Sequence, residues 1–307
     1  NRLTAAVDYY DRLTTGMNRP SEFSTFLSAA YSPAPRTNIG NLRNRGVEID
    51  LSWKDRIGKL QYGFNLNGAF NTTNLEKWNQ LLLRGNVFLE MPYQFVYSYV
   101  DNGIAQSWAD VYNTTPQGAA PGDLLMKDLN GDGRITADDR KAYSNLQQER
   151  PTTTFSFNTY VAYKGFDFTV FLQGAAGRKD YWQTIYNNTN FGNSRYAASW
   201  EHWTNPWSWD NRDGLWPRLG GSGNNRNQTS FWLDDMSYLR VKNLQLGYTV
   251  PTKVLSRLGV TNLRIVGSAE NIGTLSAFRG LDPEKQGDDN NVYPINKSYS
   301  LAINLSF

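Results

Sequence analysis

The last ten residues, SYSLAINLSF from Ser298 to Phe307, alternate without a break. Tyr299, Leu301, Ile303, Leu305 and Phe307 fall on one face of an extended strand, and Ser300, Ala302, Asn304 and Ser306 on the other. In a soluble sandwich the apolar face meets a second sheet. In a transmembrane barrel it meets lipid, and the polar face lines a wet lumen. An aromatic residue closing the apolar face suits a strand end at a membrane interface. An ordinary edge strand gives the same pattern over so short a stretch, so the rest of the chain has to decide.

Composition narrows the field. The 307 residues are enough for a sizeable core, and a net charge of +3 over that length does not point to nucleic acid. No apolar run reaches the ~18 residues of a helical membrane span, and mean hydropathy is −0.59. Half-polar barrel strands escape such averages. Cysteine is absent, which removes disulfide and thiol chemistry and fits an oxidising envelope as well as any other compartment. Aromatics make up 14% of residues, a demand that interfacial girdles or sugar-binding surfaces would both create. The chain opens at Asn1 with neither Met nor a signal-like apolar segment. An exported protein needs such a segment, so a piece of something longer is expected.

Moving outward from the C-terminus, the same alternation recurs. Leu3, Ala5, Val7 and Tyr9 begin a strand over about residues 3–13; Val47, Ile49, Leu51 and Trp53 mark a second. Leu60, Tyr62, Phe64, Leu66, Gly68 and Phe70 form the cleanest apolar face, after a short polar turn at 54–59. Phe155 to Tyr163 and Phe166 to Leu172 flank Lys164 and Gly165, a two-residue hairpin turn in which Gly supplies positive φ. Tyr238 to Val250 is a strand with a fault. Leu244, Leu246, Tyr248 and Val250 share a parity with Arg240 and Lys242, so either a bulge switches the faces or that end projects into water. Leu263, Ile265, Gly267 and Ala269 begin the seventh strand, and the terminal strand is the eighth. Val87 to Tyr99 reads as a short strand or a packed loop.

The connections alternate in length. Those at 54–59, 164–165 and 251–260 are short, and those at 14–44, 72–151, 177–235 and 273–297 are long. A sandwich has no reason to gather its long loops at one end, whereas outer-membrane barrels have short periplasmic turns and long extracellular loops. The expected fold is therefore all-β, a transmembrane antiparallel barrel with its long loops extracellular and Phe307 on the periplasmic side.

The sharpest local motif is DLNGDGRITADD. Asp128, Asn130, Asp132, Gly133, Ile135 and Asp139 hold positions 1, 3, 5, 6, 8 and 12 of a calcium loop of the EF-hand type. Alternate residues of a curled loop point inward, Gly133 permits the turn, and Arg134 offers a backbone carbonyl. Asp139 stands where Glu is usual, and its shorter reach lowers affinity or changes coordination. The expectation is a structural Ca2+ or Mg2+ that braces a loop, set against a Gly/Asp/Asn turn that is merely solvated.

Weaker signals remain. Trp182, Trp200, Trp203, Trp207, Trp209 and Trp216 crowd the 177–235 loop. They could stack on a ligand or partner, or form the loop's own small core. His202 is the single histidine, so a histidine metal cluster is impossible. No nucleophile motif and no phosphate loop is present, and no enzyme is expected.

Several blocks, taken together, resemble the C-terminal part of the barrel of SusC/RagA-type TonB-dependent outer-membrane transporters. They are NIGNLRNRGVEIDLSW (38–53), AAPGDLLMKDLNGDGRITADDR (119–140), YKGFDFTVFLQGAAG (163–177), LDDMSYLRVKNLQLGYTVP (233–251), LRIVGSAENIGTLSAFRGLDPE (263–284) and the terminal aromatic strand. That strand also looks like the signal by which outer-membrane barrels are recognised for insertion. The resemblance implies a 22-stranded barrel of which this would be about the last eight strands. It implies a plug domain and the first part of the barrel outside this chain, and coupling to the TonB complex. It further implies a SusD-like surface lipoprotein over the extracellular loops, and import of oligosaccharides or peptides. A small self-closed eight-strand barrel with a structural or adhesin role is the alternative, and a soluble carbohydrate-binding sandwich a distant third.

Overall fold

In the computed structural model, residues 2–20, 36–78, 95–147, 150–181, 200–255, 259–280, 282–285 and 295–307 are described, with 89, 91 and 92. Eight strands form one antiparallel sheet: β1 (Leu3–Pro20), β2 (Arg36–Ile57), β3 (Leu60–Trp78), β8 (Thr153–Tyr163), β9 (Phe166–Ala176), β12 (Tyr238–Thr249), β13 (Asn262–Ser276) and β14 (Ser298–Ser306). They pair in that order, with β1 and β14 at opposite edges. The sheet is open among the described residues.

Register turns the alternation into a surface. Ala5, Leu51, Leu66, Phe157, Leu172 and Val241 lie across one another on neighbouring strands. The next row on the same face, toward the long connections, is Val7, Ile49, Gly68, Phe155, Gly174 and Leu239. Toward the short turns, Phe166 and Tyr248 pack at 4.4 Å between ring centroids on this face. Among the described residues no second layer covers it: Leu301 is 74% exposed and Leu305 47%. Along β2 the apolar face runs from Val47 to Ile57. That is ~34 Å of strand, or ~25 Å along a membrane normal at barrel tilt, the height of an outer-membrane apolar band. Asp55, near the short-turn margin, is ion-paired with Arg2 at 3.1 Å.

Packing on this face is specific where glycine meets an aromatic. A Cβ built on Gly174 would fall 2.2 Å from Cζ of Phe155, so the ring lies over the glycine and fills the gap it leaves. The neighbouring strands thus interlock through one hole and one plug.

The fault in β12 is a bulge. Its register shifts between Val241 and Asn243 against both β9 and β13, so Lys242 is the extra residue. Val241 joins Leu172 on the apolar face, and Arg240, opposite Gln173, points to the polar one.

The short connections are tighter than the sequence suggests. Ile57 pairs directly with Leu60, leaving Gly58 and Lys59 as the turn in place of 54–59. Lys164 and Gly165 have φ of 48° and 89°, the two positive values a type I′ turn needs. After Pro251 the chain makes one helical turn, Thr252–Leu255, before β13.

The long connections shrink too. β1 runs to Pro20, β2 starts at Arg36 and β3 continues to Trp78, so much of the expected 14–44 loop is hairpin. The 79–152 connection carries β4 (Phe95–Tyr99), β5 (Asp101–Ile104), α1 (Trp108–Tyr112), β6 (Leu124–Met126) and β7 (Arg140–Gln147). The 177–237 connection carries β10 (Lys179–Tyr181), α2 (Trp200–Thr204) and β11 (Leu233–Asp235). β4 pairs with β7, β5 with β6 and β10 with β11. The two connections share one core: Val96 and Leu124 from the first pack with Tyr181, Trp216 and Trp232 from the second. We call the resulting body the cap.

Candidate functional site

Two surfaces can carry function: the polar face of the sheet and the cap. On the polar face Asp50, Asn67, Ser156, Gln173 and Arg240 form one cross-strand row, with Asp8 and Glu48 in the row beside it. Side chains bond along and between these rows. Asn65 Nδ2 donates to Asp50 at 3.2 Å, Asn67 Nδ2 donates to Asn65 at 3.0 Å, and the Ser156 hydroxyl donates to Asn67. Asp8, Glu48, Asp50, Asn67, Ser156 and Gln173 line a concavity of about 540 Å³. Short amide, hydroxyl and carboxylate groups offer hydrogen bonds to any polar body held there and no nucleophile with an adjacent base. Toward the short turns the same face carries the Arg264 to Asp167 pair at 2.7 Å.

In the cap, buried polar groups are held by one another. The Asp123 carboxylate is fully buried and accepts from Arg218 Nε and Nη2 at 2.8 and 3.0 Å, from Asn225 Nδ2 at 3.0 Å, and from the Ala120 and Ser222 amides. Burial alone would raise its pKa; the Arg218 bonds and the two amides outweigh burial and hold it below the usual carboxylate range. His202 is buried, with Nε2 3.1 Å from the Pro217 carbonyl oxygen. Burial holds its pKa below the ordinary value, partly offset by that carbonyl. Burial in the shared core pushes the Tyr181 hydroxyl up to about 12.

The 128–139 loop curls as its spacing predicts. Asp128 accepts from the Gly131 and Gly133 amides at 2.7 and 2.9 Å and from the Thr115 hydroxyl at 3.1 Å. Asn130 accepts from the Asp132 amide and Asp132 from the Arg134 amide. Gly131 and Gly133 have φ of 75° and 78°, which the tight coil needs. Asp139 sits in the short 3-10 turn Ala137–Asp139, fully buried, and accepts from the Leu129, Asn130 and Thr136 amides. Burial would raise its pKa, but those amides prevail and hold it low. Asp128 Oδ2 and Asp139 Oδ1 each already accept two hydrogen bonds, while Asp128 Oδ1 and the two Asp132 oxygens accept one apiece and keep a second lone pair; an all-oxygen set suits a hard cation. Among the described residues, however, no group of three or more Asp, Glu, His or Cys side chains converges to hold a metal ion.

The tryptophans divide. Trp207 and Trp216 are buried, Trp207 donating to Gln106 Oε1 at 2.8 Å and Trp216 stacking on Trp232 at 5.9 Å. Trp203 and Trp209 are each 57% exposed, and Arg212 lies over the Trp209 ring at 5.1 Å. Trp182 lies outside the described residues, and Trp200 is placed in α2 by its backbone alone. A second exposed aromatic pair, Trp108 and Tyr112, stacks at 5.7 Å on α1. Two features escaped sequence reading. One is the Asp123 pair, whose partners are 95 residues apart. The other is a buried cluster of Arg240 with Asp282 at 2.6 Å and Glu284 at 2.6 Å.

No protein-family model matches the chain. Curated relatives do match along its whole length. TonB-dependent receptor P3 of Formosa agariphila is 28% identical over all of this chain and 32% of its own. TonB-dependent receptor SusC of Bacteroides thetaiotaomicron is 24% identical over all of this chain and 30% of its own. The chain thus spans about a third of the length of the relatives it matches. Among solved structures, the RagAB peptide transporter superposes with a TM-score of 0.78 at 22% identity, over the whole chain and 33% of the compared one. The RagAB peptide importer in its open-open state gives 0.77 at 22% identity, with the same coverage. The apolar face is therefore a lipid face and the polar face a lumenal one. The chain is similar over its whole length to TonB-dependent receptors, SusC among them, and folds like part of the transmembrane β-barrel of such a transporter.

Proposed function

We propose that the chain is the C-terminal portion of one transmembrane barrel domain that imports oligosaccharides or peptides across the bacterial outer membrane. Energy comes from the TonB complex, and the plug and the first part of the barrel are supplied outside these residues. The cap faces the exterior, and a SusD-like lipoprotein seats on it. The carrying observation is the open sheet: β1 and β14 stand at opposite edges, which a small self-closed eight-strand barrel does not allow. The polar lumenal rows suit a hydrated path, and the work is gating and binding rather than covalent chemistry. Exposed Trp203 and Trp209 are the aromatics of the 177–235 loop that we assign to ligand or partner contact, since Trp207 and Trp216 are consumed by the cap's core. We also assign a divalent cation, Ca2+ or Mg2+, to the 128–139 loop, through the oxygens of Asp128, Asn130 and Asp132 and the Arg134 carbonyl. Asp139 is the weak member, held as it is by three amides.

The test is growth of the source bacterium on a panel of glycans and protein digests as sole carbon source. Deleting the receptor gene abolishes growth on one class, and deleting TonB abolishes it on the same class. Growth unaffected by receptor deletion on every member of the panel overturns the reading.

A further inference from the structure

We propose that the stretch from Phe278 to Lys285, Leu281 apart, is a tie that fixes the position of the cap relative to the lumenal wall. It goes beyond the transport reading and does not depend on the cargo.

One end of the stretch grips the cap. Arg279 Nε donates to Asp234 Oδ1 and Oδ2 at 2.8 and 3.0 Å, and Nη2 donates to the Phe231 carbonyl at 3.3 Å. The same guanidinium lies 4.8 Å from the centroid of Trp216, a member of the shared core. Phe278 beside it is buried.

The other end grips the wall. Arg240 stands on the lumenal face of β12 beside the bulge, 4% exposed, and donates from Nη2 to Asp282 and from Nη1 to Glu284, both at 2.6 Å. Lys242, the bulged residue, reaches Glu284 at 2.8 Å. Next to these wall contacts, the Lys285 carbonyl accepts from Arg178 Nη2 at 3.0 Å, two residues past the end of β9 where the 177–237 connection begins.

The charge order makes the tie directional. The strap carries a cation at 279 and anions at 282 and 284; the cap offers an anion at 234, and the wall offers cations at 240 and 242. Sliding or reversing the strap sets like charges together, so only one seating satisfies both ends. Arg240 and Asp282 are nearly dry, and salt screens such a pair weakly. The bulge supplies the wall's half of the clasp. It turns Arg240 inward and adds Lys242 at the same height, which an unbroken strand would not do.

The test uses the full-length protein in outer-membrane vesicles with two spin labels, on Ala109→Cys in the cap and on Lys59→Cys at the short-turn end. The parent gives one narrow interlabel distance. Asp282→Asn with Glu284→Gln broadens that distribution about twofold or more, while the barrel keeps its heat-modifiable migration on gels. Should that variant fail to fold, Arg279→Gln cuts the tie at the cap end and gives the same broadening. Asp167→Asn, which breaks the Arg264 pair elsewhere on the wall, leaves the distribution narrow. An unchanged distribution in the tie variants overturns the proposal, and so does equal broadening in Asp167→Asn.

Discussion

Asp123 and Arg218, 95 residues apart in sequence, meet in a two-point ion pair of 2.8 and 3.0 Å that joins the two long connections into one body. Removing the carboxylate strands Arg218, Asn225 and two amides at once. Arg218 is partly exposed, which tempers the loss. Asp123→Ala is expected to destabilise the cap by about 2–4 kcal/mol and leave the sheet folded. Hydrogen exchange resolved by segment checks it: 95–126 and 205–236 lose protection, and β2, β3 and β8 do not.

Lipid on one face and water on the other predicts opposite tolerance at adjacent positions. Leu66→Arg places a charge near the middle of the apolar band and costs about 2–4 kcal/mol, whereas Ser156→Arg, on the lumenal face, costs under about 1 kcal/mol. Reversible denaturant unfolding in lipid vesicles measures both. Equal effects would mean that the apolar face is packed against protein.

The ring of Phe155 over Gly174 predicts a steric conflict. Gly174→Ala pushes the ring from its seat and is expected to cost about 1–3 kcal/mol. Phe155→Ala in the same background removes the clash, so the two changes are less than additive. The temperature at which heat-modifiable migration is lost reports both.

Acid loosens the cap in two stages. His202 has a lowered pKa in the fold, so its contribution is complete above about pH 6.5 and is lost as pH falls below that toward the lowered value. Asp123 and Asp139 are also lowered; their contribution is complete above about pH 4 and is lost only as pH falls through their own lower values. Tryptophan emission from the cap core, followed against pH, should shift first in the upper window and again in the lower. His202→Gln removes the upper step alone.

The cation assigned to the 128–139 loop is checked by metal analysis of the intact protein, with one equivalent of Ca2+ or Mg2+ expected. Asp128→Ala with Asp132→Ala loses it and raises exchange across 119–147 with the barrel intact. Protein free of divalent cation after purification without chelator would end that assignment.

The eight strands were legible because each has lipid on one side and water on the other, which writes a period of two into Leu60 to Phe70 and Tyr299 to Phe307. Beyond the band that contrast ends. Thr72, Thr73 and Asn74 in β3 alternate nothing, so the upper strand ends read as loop although among the described residues β1, β2 and β3 continue to pair there, with register shifts near Met17 and Asn41. The β12 fault was visible as a parity conflict, and only pairing on both sides could settle it as a bulge. The cap was illegible for another reason: its ion pairs and shared core join residues from different connections, and no local pattern announces such partners. The spacing of Asp128, Asn130 and Asp132 did foretell the coil they make, while the burial of Asp139 behind three amides followed from the coil's own closure.

The two outermost strands each present a row of backbone donors and acceptors with no neighbour in the sheet. In hydrocarbon each such orphaned group costs several kcal/mol, so this wall cannot be a resting state in a bilayer by itself. Under the proposed reading, in which further barrel strands lie outside these residues, insertion is concerted with theirs, and a lesion that delays either seam should send the whole wall to envelope proteases before any defect in uptake is felt.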